Sequence, residues 1–130
     1  MRQWSVDEAN AVLPWVHDVV GQLQELVAEM RARTVAVARV GRRNGHGAHA
    51  AAEHRPPDEV AAEIHEQLEA LTAADVVVRD VDRGLLDFPA VTASGRPYLL
   101  CWLLGESEVT WWHWPEDGFA GRQPISALPE

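Results

Sequence analysis

Lysine is absent from this sequence, cysteine occurs once, and no apolar run approaches the length of a membrane span. A single cysteine cannot close a disulfide within the chain. Cys101 lies inside an apolar run, which reads as a buried thiol in a reducing, cytoplasmic setting. A transmembrane helix needs about 20 consecutive apolar residues. The N-terminus opens on Arg2, Trp4, Asp7 and Glu8 rather than on a basic patch followed by an apolar stretch, so neither a span nor a signal peptide is expected. Basic charge is scarce as well: 20 acidic residues against 11 basic leave a net charge of −9. That balance argues against nucleic acid and anionic lipid, whose binding is driven by cationic side chains displacing counterions. Also missing are a GxSxG elbow, a phosphate-cradling glycine loop, and any HExxH or CxxC element.

What remains is a chain of 130 residues, 47% hydrophobic and 24% charged, the size and balance of one domain. Ser5-Val6-Asp7-Glu8 has the form of a capping box, in which the Ser5 hydroxyl and the Glu8 carboxylate each accept from the other residue's amide. A helix therefore starts there, with a kink or restart expected at Pro14, which lacks an amide proton. The main helix is expected from Pro14 to Val40. Val16, Val20, Leu23, Val27 and Met30 form its apolar stripe, widened by Val19 and Leu26. Gly41 to Pro57 has no period and reads as a flexible connector. Pro57-Asp58-Glu59 opens a second helix with the narrow stripe Val60, Ile64, Leu68 and Leu71, ending near Asp75. Residues 5–75 thus read as an antiparallel helical hairpin. Its longer arm, near 40 Å against roughly 25 Å for the shorter, carries a broad stripe that needs cover, and a homodimer packed through the long helices is expected.

From Val76 the pattern turns to strands: Val76 to Val78, Leu85 to Phe88, Tyr98 to Leu104 and Val109 to Trp114, followed by an irregular tail. The expected fold class is α+β, a long helical hairpin followed by a three- to four-stranded antiparallel meander over residues 76–130. All eleven basic residues are arginine, and Arg31, Arg33, Arg39, Arg42, Arg43 and Arg55 crowd into positions 31 to 55. The strip reads either as a solvated helix end and loop or as a docking site for an acidic protein partner or small ligand.

The run Asp82 to Pro89, Leu100-Cys101-Trp102 with Gly105-Glu106, Trp112-His113 and Gly118 to Arg122, together with Glu8-Ala9-Asn10 and Leu13-Pro14-Trp15, resembles a bacterial family known only as a domain of unknown function. The resemblance spans the chain outside the connector. It implies the fold and carries no activity, cofactor or catalytic residue.

Opposed residues in an antiparallel pair have a constant index sum and share a face. Placing Leu104 opposite Val109 sets Trp102 against Trp111, Cys101 against Trp112 and Leu100 against His113. Cys101 and His113 then face opposite ways, which disfavours a Cys-His nucleophilic pair. The same pairing puts Trp102 with Trp111 and Trp112 with Trp114, so no single aromatic cage forms. Across the Thr92 to Gly95 turn, Asp87 falls opposite Leu100. Asp87, Leu100 and His113 then form one row, with the outer two about 9.6 Å apart at the backbone. This pair is the sharpest site expectation: a carboxylate-held imidazole for acid-base work, or two ligands of a transition metal, with Glu106, Arg122 or a helix residue completing the site. A plain hydrogen bond between two buried polar groups is the bland alternative, as is a Glu106–Arg122 salt bridge for the latter pair. His46, His49 and His54 in the connector have metal-compatible spacing without a scaffold, and His17 and His65 read as residues at core margins. Three functions stay open: a non-catalytic homodimeric module binding a small ligand, metal or protein; a metal-assisted or acid-base enzyme built on Asp87, His113, Glu106 and Arg122; and a purely structural helix-mediated assembly.

Overall fold

The computed structural model describes residues 2–42 and 55–130. The expectations for the connector, including its flexibility and its histidines, fall outside the described residues, as do the side chains of Arg39, Arg42 and Arg43. Helix α1 runs unbroken over Val6–Arg42 and helix α2 over Pro57–Ala73. The capping box forms, with the Ser5 amide donating to Glu8 Oε1 and the Glu8 amide to Ser5 Oγ, both at 3.1 Å. The helix does not restart at Pro14. Pro14 is on the solvent side of the helix, where the carbonyl it leaves without an amide can turn to water instead of breaking the helix.

The sheet contains β1 (Val77–Asp80), β2 (Leu85–Val91), β3 (Pro97–Leu103), β4 (Trp111–His113) and β5 (Gln123–Pro124), in that spatial order and antiparallel throughout. It is an α+β fold of helical hairpin and meander, extended by a short fifth strand from the tail. Leu86, Phe88, Ala90, Leu100, Trp102 and Trp112 on one face pack against Val16, Val20 and Leu23 of α1 and Leu71 of α2. The broad stripe of α1 is therefore covered largely within the chain; among the described residues the exposed large apolar side chains of the helix are Trp15 and Val35, both outside that stripe. Trp4 is also pinned to this core, its amide donating to the Pro89 carbonyl at 2.7 Å and its indole to that of Asp75 at 3.1 Å. Part of the arginine strip is engaged internally: Arg31 grips Asp82 with two 2.9 Å hydrogen bonds, and Arg55 bridges Glu29 and Glu63 across the two helices. Among the described residues no helix is long and apolar enough to cross a membrane.

Both expected strand registers are off by one residue. Leu100 faces Trp112 and Cys101 faces Trp111, while Asp87 faces Cys101 and Phe88 faces Leu100. At the first turn Val109 does not pair with Leu104. It is fully buried and its amide donates to Asn10 Oδ1 of α1 at 2.6 Å, lengthening the loop. At the second, the Thr92 amide donates to the Arg96 carbonyl at 2.9 Å across Ala93-Ser94-Gly95, with Gly95 at φ +92°. That is a three-residue hairpin closed by a left-handed glycine.

Candidate metal centre on the outer sheet face

A one-residue slip moves a side chain to the opposite face. Two slips cancel, so Asp87 and His113 still share a face, now with Cys101 rather than Leu100 between their strands. Cys101 and His113 lie on the same face, correcting the expectation that they point apart. The tryptophan assignment changes too: Trp102 and Trp112 belong to the core face, whereas Trp111 lies on the outer face beneath the Arg122 guanidinium, 5.0 Å from its ring. Trp114 meets Trp112 edge-on at 4.9 Å.

Asp87, Cys101 and His113 are buried, at 1%, 0% and 3% exposure, and their donor atoms lie within 4.8 Å of one another. His113 Nδ1 donates to the Trp114 carbonyl at 2.7 Å, so that nitrogen carries a hydrogen. Nε2 is then turned onto Asp87 Oδ1 at 3.0 Å. A hydrogen on Nε2 or on the carboxyl makes this contact attractive; a divalent cation can stand in its place. Arg79 sits at an irregularity of the β1–β2 register, between the Val78 and Asp80 pairings, and its Nε donates to Asp87 Oδ2 at 2.8 Å.

Burial, and secondly the Asp87 carboxylate, push the Cys101 thiol up to about 12. A thiol so placed keeps its proton near neutral pH, so sharing a face with His113 does not make a Cys-His catalytic pair, and a metal that takes Cys101 as a ligand must displace that proton. Nor does the imidazole offer a free nitrogen to a substrate, since both ring positions are engaged. The donor set fits a metal better. Imidazole and thiolate are the ligands that zinc-class ions prefer over magnesium or calcium. Such an ion holds its donors at about 2.0–2.3 Å, and a ligating histidine characteristically passes its other N–H to a carbonyl or carboxylate.

Glu106 and Arg122 come together on this face as a salt bridge rather than as metal ligands: Arg122 Nη2 donates to both carboxylate oxygens at 2.7 and 2.9 Å, and the Leu103 amide donates to Oε1 at 2.7 Å. His17 and His65 stand clear of the core, exposed beside Asp18 and Glu69. Sequence reasoning missed two members of the site. Cys101 was lost to the register slip. Arg79 lies at a strand irregularity that periodicity does not reveal.

Over the cluster the chain after β4 folds back, and Pro115, Gly118 and Phe119 wall a cavity of about 230 Å³ floored by Arg79, Leu85, Asp87, Cys101 and His113. Fold and site thus define an α+β protein with helices on one face of its sheet and a buried carboxylate–thiol–imidazole cluster on the other. The chain belongs to the family described as an uncharacterized conserved protein (DUF2203), matched over residues 2–125. No curated protein and no solved structure matched it.

Proposed function

We propose that this protein is a binding module whose centre is one transition-metal ion of the zinc class, held by Asp87, Cys101 and His113. The observation that carries this reading is the gathering of three chemically suited, buried donors within 4.8 Å on adjacent strands, β2, β3 and β4. Supporting it, the Trp114 carbonyl fixes which imidazole nitrogen can ligate, and Arg79 orients the carboxylate from behind. An acid-base enzyme working through His113 would need a ring nitrogen released from Asp87 or Trp114. The binding reading needs the metal to replace the hydrogen between Nε2 and Oδ1 and to displace the Cys101 thiol proton to solvent.

The test is elemental analysis of untagged, natively purified protein. One equivalent of zinc-class metal is expected in the wild type, falling to background in Cys101→Ala and His113→Ala variants that keep wild-type circular dichroism. Folded wild-type protein that stays metal-free after incubation with zinc and dialysis overturns the proposal.

A further inference from the structure

Asp87, Cys101 and His113 all line the cavity under the tail, and that cavity has a definite chemistry. Its walls are apolar at Leu85, Pro115 and Phe119, and its one charged side chain beyond the cluster is Arg79. The Nε of Arg79 is committed to Asp87, but its two Nη groups find no acceptor among the described residues, and the side chain is 48% exposed. A divalent ion with the Asp87 carboxylate, the Cys101 thiolate and a neutral His113 sums to zero, so Arg79 leaves the loaded site net positive, and Arg83, stacked on the Phe119 ring at 4.5 Å, adds to the same sign. At about 230 Å³ the cavity falls below the roughly 300–1,000 Å³ of pockets for drug-sized ligands.

From these features, and resting on the metal reading above, we infer that the centre takes a small organic monocarboxylate as its exogenous ligand. The carboxylate lies between the metal and the Arg79 guanidinium, and the short apolar chain lies against Leu85, Pro115 and Phe119. Charge selects a monoanion over a cation or a neutral amide. The fork of Arg79 matches the two oxygens of a carboxylate, and the apolar walls favour a carbon chain over a bare oxyanion.

Cobalt(II) substitution of the full chain separates this inference from the reading beneath it, because thiolate-to-cobalt charge transfer reports metal binding while the visible d–d bands report the remaining ligand. With cobalt saturating, butyrate is expected to shift the d–d bands saturably, binding about fourfold more tightly than acetate for each further buried methylene. Butyramide and butylammonium are expected to leave the bands unchanged. Arg79→Gln also loosens the hold on Asp87 and is titrated at cobalt that saturates its own charge-transfer band; there it is expected to weaken butyrate about tenfold or more. Wild-type protein that takes up no cobalt overturns the metal reading and this inference together. Cobalt uptake without a butyrate response overturns this inference alone. So does an Arg79→Gln variant that titrates like wild type, or inorganic phosphate binding as tightly as butyrate, which would leave the apolar walls without a role.

Discussion

At the residue scale the Glu106–Arg122 pair bears most directly on whether the outer face holds its shape. Glu106 Oε1 accepts from both the Leu103 amide and Arg122 Nη2, while Arg122 Nε is buried with no acceptor. Among the described residues Glu106 is the carboxylate that balances the arginine's charge, and the guanidinium lies over the rings of Trp111 and Phe119 at 5.0 and 4.8 Å. With side-chain exposures of 11% and 22%, the pair is shielded enough for its loss to be felt. Glu106→Ala is expected to destabilise the protein by about 2 kcal/mol, since it strands a buried cation and an amide; urea denaturation read by tryptophan fluorescence measures it. An unchanged midpoint would mean the guanidinium finds water instead. This pairing was legible in the sequence from residue chemistry, whereas the meeting of Asp87 and His113 was read from strand register. The latter came out correctly because two register errors of the same size cancelled. Cys101 had no such protection, since its face depends on each register separately.

At the scale of elements, helix α1 owes its start to a cap that depends on charge. The Ser5 amide and then the Ser5 hydroxyl, with Arg2 behind them, hold the Glu8 carboxyl below its ordinary value near 4.5. A carboxyl depressed in the folded state stabilises it above the unfolded value, and that contribution disappears as pH falls through the folded one. Glu8→Gln, whose amide oxygen can still accept from Ser5, is therefore expected to flatten the fall in melting temperature between neutral pH and about pH 3. Scanning calorimetry at several pH values checks it, and parallel curves for the two proteins would remove Glu8 from the acid response. Helices and strands were readable because their apolar periods differ. The loops between strands were not, because their lengths are set by contacts distant in sequence: Val109 is held by Asn10 of α1. A two-residue strand such as Gln123–Pro124 is too short to carry a period at all.

For the whole molecule, the sequence pointed to a long helix with more apolar surface than its partner helix could cover, and the sheet proves to be what covers it. Leu23, at the middle of that stripe, is 1% exposed within a single chain. Leu23→Glu would place a carboxylate in the core, so it is expected to unfold the protein rather than merely separate subunits. Circular dichroism alongside light scattering distinguishes these outcomes; a folded variant of lower mass than the wild type would instead place Leu23 at an interface between copies.

The tail that walls the cavity follows every residue of the cluster in the chain, with Pro115, Gly118 and Phe119 coming after Asp87, Cys101 and His113. The wall is thus tethered directly to β4: Pro115 stands two residues after His113 and Phe119 six, so a change that frees β4 from β3 also moves the cavity's wall.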